Sequence, residues 1–350
     1  MQASEAWFQI GFSADFLKEN GEMAFPDIGL SLLEGRAGIA YRFLDEYRPV
    51  YAAAQISDLD VLISLKPRVT EESLRGVERL TAIGRCGVGY DNVDLAACTA
   101  CDVAVYITPA GVVRPMAESI VLLVLALSHR LIEKDRMVRA GEWVESTRQL
   151  GREPRGRVVG TIGLGNIARE ALRLLRNFDV GRFLAFDPFV EAAPNAEIEI
   201  VGLEELMRSS DYVLVNCPLT PETRGMIGER ELSWMTPDAV LINTARGPIV
   251  QEAALVRALT EKRIGGAALD VFEREPLDAK SPLIGLENVI LTSHSIGWTS
   301  ELFRDMGRID CEGALLIAAG EVPPNVVNRE VLDRPGFRQK LQRNRLHEPF

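Results

Sequence analysis

The chain has 350 residues, enough for about two domains and too long for a small disulfide-stapled module. Hydrophobic residues make up 47% and charged residues 25%, which excludes wholesale disorder. Lys plus Arg number 39 against 50 Asp plus Glu, a formal charge of −11 with no basic block. Such a chain lacks the cations that displace phosphate counterions, so nucleic acid and anionic membrane are not expected partners.

The longest uninterrupted apolar run, Ile120 to Leu127, is far short of the roughly 18 residues that suggest a membrane span. The N-terminus shows no basic stretch leading into an apolar segment, so the expected location is cytoplasmic. Five scattered cysteines (Cys86, Cys98, Cys101, Cys217 and Cys311) read as thiols of a reducing compartment. Three dispersed histidines (His129, His294, His347) are too few for a metal cage, so no metal is expected.

Short aliphatic runs alternate with helical patterns, the signature of a parallel α/β protein. In the first third, strands are expected at Phe8–Gly11, Val61–Leu65, Leu80–Ile83 and Val103–Ile107. A long apolar helix is expected from Pro115, a residue tolerated in a first turn, to about Ala140, with Gly141 as its stop. Its apolar circumference between Ile120 and Leu127 requires burial between layers or subunits. A second series follows, with strands at Val158–Ile162, Phe183–Phe186, Tyr212–Val215, Val240–Asn243, Ala267–Val271 and Val289–Thr292. Helical stretches lie between them at Ile167–Phe178, Leu203–Arg208, Glu229–Met235 and Glu252–Lys262. Six short, continuously apolar strands match a doubly wound dinucleotide fold. A last helix spans about Ser300 to Ala319, and the tail beyond Gly320 is polar and Pro-rich.

Gly163-Leu164-Gly165-Asn166-Ile167-Ala168 follows a strand and opens a helix, matching G-x-G-x-x-G/A in its required context. Gly163 permits the tight turn, and Gly165 admits a pyrophosphate close to the backbone. Ala168 lets helix and strand approach, and the helix N-terminus offers unpaired N–H groups. Asp187 ends the next strand at about the spacing expected for a carboxylate on the adenosine ribose. With Pro188 and Phe189 after it instead of Arg, NAD is favoured over NADP.

Three polar residues stand at successive strand ends: Arg246, Glu275 and His294. Singly, Arg246 reads as a surface cation and Glu275 as a solvated carboxylate; their placement as a set points to chemistry. His129, on the apolar helix, reads as a structural histidine, His347 falls in the polar tail, and Trp143 and Trp298 read as packing residues.

Together with Arg85-Cys86-Gly87-Val88-Gly89-Tyr90-Asp91-Asn92-Val93-Asp94, Pro218-Leu219-Thr220-Pro221-Glu222-Thr223 and Asn243-Thr244-Ala245-Arg246-Gly247, these segments resemble the D-isomer-specific 2-hydroxyacid dehydrogenases. The resemblance covers nearly the whole chain. It implies hydride transfer between NAD(H) and a D-2-hydroxy acid/2-keto acid pair. An imidazole, with an ordinary pKa near 6.5, can move the hydroxyl proton in both directions at neutral pH, and His294 is the candidate. Glu275 holds its ring and favours its charged form. Arg246 clamps the substrate carboxylate and polarises the carbonyl, and backbone N–H groups around Gly87, Val88 and Gly89 hold the rest of the carboxylate.

For the cofactor, the resemblance implies Gly163, Gly165, Asn166, Ile167 and Asp187, with Asn216, Cys217, Pro218 and Thr223 beside the adenosine. Asp270 meets the nicotinamide carboxamide, and Thr244, Ala245 and His294 complete the set. Two departures stand out. Ser293 occupies the place of the family's usual Pro before His294, and Ser64 that of an Arg found in phosphoglycerate-type members, which disfavours a phosphorylated substrate. The chain ends about 30 residues past the last helix, without room for the regulatory domain of some phosphoglycerate members.

The expected architecture is α/β: a Rossmann-type doubly wound NAD domain at 110–298 and a smaller, discontinuous flavodoxin-like substrate domain at 1–109 and 299–350. A cleft between them is expected to close over substrate. The apolar Pro115–Ala140 helix supports a homodimer. The alternative is a non-catalytic NAD-sensing binding protein of corepressor type on the same fold.

Overall fold

The computed structural model describes residues 8–148, 150–191 and 197–346, so His347 lies outside the described residues. The chain divides into two units, one from the residues up to Val112 and from Trp298 onward, the other from Val113 to Gly297.

The first unit is built on β1 (Phe8–Phe12), β2 (Ile39–Phe43), β3 (Val61–Ser64), β4 (Ala82–Arg85) and β5 (Ala104–Ile107). They form one parallel sheet in the order β2-β1-β3-β4-β5, the flavodoxin-type arrangement. β3 is buried at every position, as a central strand covered on both faces must be. β2 escaped the sequence reading because it is an edge strand: four of its five residues are only partly buried, and Arg42 reaches out to Asp58 at 2.9 Å. β4 begins two residues later than expected, because the Thr81 N–H is already engaged by the Asp60 carbonyl at the strand's entry.

The helix Ser300–Ala318 is started by Thr299, whose Oγ1 accepts the Leu302 N–H at 3.0 Å. It buries Leu302, Phe303, Met306, Ala314 and Ile317. The stretch beyond Gly320 is not merely a polar tail: it contains a 3-10 turn (Arg329–Asp333) and a helix (Pro335–Arg343). Polar side chains on backbone groups hold it there, a device that apolar periodicity does not reveal. Asn328 Oδ1 accepts the Val105 N–H at 2.8 Å and its Nδ2 donates to Val103 O at 2.9 Å, extending the β5 edge. Lys340 Nζ donates to the carbonyls of Leu80 (3.0 Å) and Cys101 (2.7 Å), and burial pushes its pKa down.

The second unit carries seven strands where six were expected: β6 (Val158–Ile162), β7 (Arg182–Phe186), β8 (Ile198–Ile200), β9 (Tyr212–Val215), β10 (Val240–Asn243), β11 (Gly266–Leu269) and β12 (Val289–Leu291). β8 is three residues long with Glu199 at its centre, too short for a pattern. All are parallel, in the order β12-β11-β10-β9-β6-β7-β8. The chain steps outward from β6 through β7 to β8, then returns to place β9 on the other side of β6. This is the doubly wound reversal, and ligands of such sheets bind at the carboxyl ends beside it. Side chains alternate between faces: Val213 and Val215 join Leu241, Leu255 and Leu283 in one core layer. Tyr212 and Leu214 join Ile120, Val124, Leu172 and Ile242 in the other.

The long apolar helix differs from its expectation. It begins at Pro109, places Pro115 in its interior, and ends at His129. Pro109 takes the first-turn position assigned to Pro115. Arg130 then adopts a left-handed conformation (φ +54°), so Leu131–Arg139 is a separate helix, followed by Gly141 at φ +78°. By length and composition, Pro109–His129 is long and apolar enough to cross a membrane; half of its most apolar stretch is buried in the structure. His129 is exposed at its C-terminal end, not packed as a core histidine. Four cysteines are buried, Cys101 is half-buried, and all five are free thiols. No group of His, Cys, Asp and Glu fit for a metal occurs among the described residues.

Candidate active site

The glycine turn links β6 to the helix Asn166–Leu175. Gly163 has φ +92°, and a Cβ there would lie 2.7 Å from the Cys217 nitrogen, so the turn and the close passage of the 216–217 strand end both require glycine. A Cβ on Gly165 would meet nothing within 4 Å, which leaves open space at the helix N-terminus for a phosphate. Asp187 follows β7; its Oδ2 accepts the Leu164 N–H at 2.9 Å and its Oδ1 the Phe189 N–H at 3.0 Å. The acidic residue is thereby fixed against the glycine turn.

Asn216 and Cys217 stand just beyond β9, next to the reversal. Asn216 Nδ2 donates to Thr161 Oγ1 at 3.0 Å, and Thr161 Oγ1 donates to Gly163 O at 2.8 Å. The fully buried Thr161 joins the two strand ends, and the sequence reading missed it because a lone Thr inside an apolar strand carries no motif. Thr223 Oγ1 donates to Pro218 O at 2.7 Å and closes the following loop.

After β10, Asn243 splits its amide between two neighbours: Oδ1 accepts the Ala245 N–H and Nδ2 donates to Arg246 O, each at 3.0 Å. This bridge sets the Asn243–Gly247 turn holding Thr244 and Ala245 and the extended backbone of Arg246; Asn243 was quoted within its motif but given no role. Arg246 Nη1 donates to Ala245 O at 2.8 Å.

Glu275 and His294 meet directly, Nδ1 to Oε2 at 2.8 Å, while Glu275 Oε1 accepts the Phe272 N–H at 3.1 Å. Partial burial alone would raise the Glu275 pKa. The His294 hydrogen bond and charge, the Phe272 N–H and the nearby Arg246 cation outweigh it and hold the carboxyl below its ordinary value. His294 and Arg246 therefore both bear on the Glu275 carboxylate. With Nδ1 on the carboxylate, the imidazole has Nε2 for other work, and its side chain is 46% exposed.

His294 has φ +53°, and its N–H donates to Asp270 O at 2.7 Å. Asp270, 2% exposed just beyond β11, gives its Oδ1 to the N–H groups of Ser295 and Ile296 at 3.0 and 3.1 Å.

Gly87, Val88 and Gly89 belong to the first unit, just past β4. The Gly87 N–H donates to Thr108 Oγ1 at 2.8 Å, whereas the peptide N–H groups of Val88 and Gly89 have no partner within the described residues. Trp298 packs edge-on against Phe25 and Phe303 with Lys66 over its ring, and Trp143 is 71% exposed.

Residues 121–295 match the NAD-binding domain of the D-isomer specific 2-hydroxyacid dehydrogenases. The chain is 36% identical over 322 residues to a glyoxylate reductase of Korarchaeum cryptofilum, covering 89% of this chain and 96% of the relative. It is 33% identical to a D-3-phosphoglycerate dehydrogenase of Archaeoglobus fulgidus, covering 92% of this chain but 58% of that longer protein. Among solved structures it resembles a glyoxylate reductase from Paecilomyes thermophila (TM-score 0.78, 26% identity, 91% and 98% covered). It also resembles a 2-hydroxyacid dehydrogenase from Ketogulonicigenium vulgare (TM-score 0.76, 27% identity, 91% and 98% covered). The glycine turn with open space at Gly165 fits a dinucleotide, and the chain belongs to the D-isomer specific 2-hydroxyacid dehydrogenase family as an NAD-dependent oxidoreductase.

Proposed function

We propose that this chain interconverts a small 2-keto acid and its D-2-hydroxy acid, with glyoxylate the first substrate to test. The observation that carries this is the 2.8 Å contact between His294 Nδ1 and Glu275, with the Arg246 charge bearing on the same carboxylate. NAD(H), when bound, supplies or accepts the hydride at the substrate's second carbon. His294 then gives a proton from Nε2 to the carbonyl oxygen during reduction and takes it back during oxidation. Glu275 stays ionised because its pKa is held down, so it balances the imidazolium and fixes the ring through Nδ1. Arg246 binds the substrate carboxylate through its planar fork and draws electron density toward the carbonyl oxygen. Gly87, Val88 and Gly89 keep the substrate-carboxylate role that the resemblance implies, supported by the unpaired N–H groups of Val88 and Gly89.

Cofactor contacts fall to Gly163, Gly165, Asn166, Ile167, Asp187, Asn216, Cys217, Pro218, Thr223, Thr244, Ala245, Asp270 and His294. Glyoxylate reductases from several organisms are 33–38% identical to this chain, which supports a compact substrate. We also infer a homodimer: Leu122, Leu131, Val138, Trp143 and Val144 are each more than half exposed, an apolar set that a second copy would cover.

The deciding experiment follows NADH oxidation with glyoxylate, hydroxypyruvate, pyruvate and bulkier 2-keto acids, for the native chain and His294→Ala. Turnover of at least one keto acid, lost in His294→Ala with NADH binding nearly intact, is the expected result. A variant as active as the native chain removes His294 from the chemistry. A native chain that binds NADH but reduces none of these acids favours the NAD-sensing alternative.

A further inference from the structure

His294 occupies the left-handed region (φ +53°), a conformation that is uncommon for a residue with a Cβ. The chain also has Ser293 before it, which leaves the backbone φ at 293 free where a proline ring would lock it. The constraint must come from elsewhere, and the hydrogen bonds lead to one carboxylate. Asp270 receives the His294 N–H on its carbonyl and the N–H groups of Ser295 and Ile296 on Oδ1. The same Oδ1 accepts Thr292 Oγ1 at 2.7 Å, the shortest of its three contacts and the sole one from a side chain. Thr292 directly follows β12 and Asp270 directly follows β11, so this bond ties two neighbouring strand ends across the base of the His294 turn. Ser293 Oγ and Ser295 Oγ lie 3.0 Å apart, but this contact is exposed, where water competes for both hydroxyls.

We propose that Thr292 is a positioning residue for His294: its hydroxyl fixes the orientation of the Asp270 carboxylate, which holds the 294–296 turn and so aims the imidazole. Asp270 thereby serves the turn through Oδ1, while Oδ2, which accepts no hydrogen bond from the described residues, is left for the cofactor. Without the Thr292 donor the carboxylate can rotate away from the Ser295 and Ile296 N–H groups, and the left-handed turn relaxes. Arg246 and the glycine turn are untouched by this change, so keto-acid binding is preserved, while proton transfer and the Asp270 contact with the cofactor both suffer.

The inference rests on the proposed role of His294 and is tested with Thr292→Val, which keeps the shape and removes the hydroxyl, and Thr292→Ser, which keeps the hydroxyl. In NADH-dependent reduction of the keto acid that the native chain turns over best, Thr292→Val is expected to lose about tenfold in kcat, the worth of one charge-assisted hydrogen bond. Its KM for the keto acid should stay within about twofold, and Thr292→Ser should recover kcat to within about threefold of native. If Thr292→Val does not fold, Thr292→Ala carries the same expectation. Native kcat in the valine or alanine variant, or a serine variant as slow as they are, overturns the proposal. A fully active His294→Ala would instead overturn the active-site reading, and the positioning role with it.

Discussion

Asp310 lies on the buried side of helix Ser300–Ala318 with no exposed surface, and neither of its carboxylate oxygens has a conventional hydrogen-bond partner among the described residues. Burial pushes its pKa up to about 8; the weak Cys86 thiol donor and the Arg85 charge oppose the rise without cancelling it. In the unfolded chain the same group titrates near 3.8. Between about pH 5 and pH 7 the folded protein therefore holds a proton that the unfolded chain has already released. Stability falls as pH rises through this window, by about 1.4 kcal/mol per pH unit, and levels off only above the folded pKa. Two units give a loss of about 3 kcal/mol. Asp310→Asn keeps the shape of the protonated acid and abolishes the titration. Urea unfolding of the native chain and the variant at pH 5 and pH 7 isolates this term, because other titrating groups cancel in the difference. Asp310→Asn is expected to gain about 3 kcal/mol on the native chain over that interval. Parallel stability curves would refute the assignment of a protonated buried acid.

Gly247 follows Arg246, and a Cβ there would fall 1.9 Å from the Phe272 carbonyl carbon, inside backbone that cannot swing aside. Gly247→Ala is expected to cost about 1–3 kcal/mol in urea unfolding, the usual range for overpacking. Because the Phe272 N–H holds Glu275, kcat should fall by at least about tenfold as well; native kinetics would show that the turn absorbs the methyl group. For the cofactor, kcat/KM should favour NADH over NADPH, and Asp187→Ala should narrow that preference by about tenfold or more, since the carboxylate repels a 2′-phosphate. An unchanged ratio would remove Asp187 from cofactor selection.

Much of the second unit could be read directly from its residues. Strands such as Val240–Asn243 are short, apolar on both faces and bounded by turn residues, and the β6–Gly163–helix passage carries its own chemistry in two glycines with distinct spatial needs. What escaped notice had weaker local signatures. β2 carries Arg42 at its solvent edge, β8 is three residues long, and the C-terminal helix is secured by Asn328 and Lys340 instead of an apolar stripe. Pro115 was misplaced because its ordinary preference for a first turn competes with a helix whose first turn is filled by Pro109. At the site, the strand-end residues announced themselves by residue type. Thr161, Asn243 and Thr292 did not, because each acts by bridging segments distant in sequence or in the turn, and a single polar residue at a strand end resembles any other.

The second unit is an insertion in the chain of the first, and its own two ends meet: Ser119 Oγ donates to Ile296 O at 3.0 Å, and Met116 Sδ lies against Gly297. Once this insert has folded, the flanking stretches are joined by a clasp of a few residues instead of a loop of about 185, which lowers the entropic cost of bringing them together by roughly 3 kcal/mol. Synthesis from the ribosome presents the segments in the matching order. The insert is complete while the sheet of the first unit still awaits Ser300–Ala318 and Pro335–Arg343, so helices made after the insert seal strands made before it.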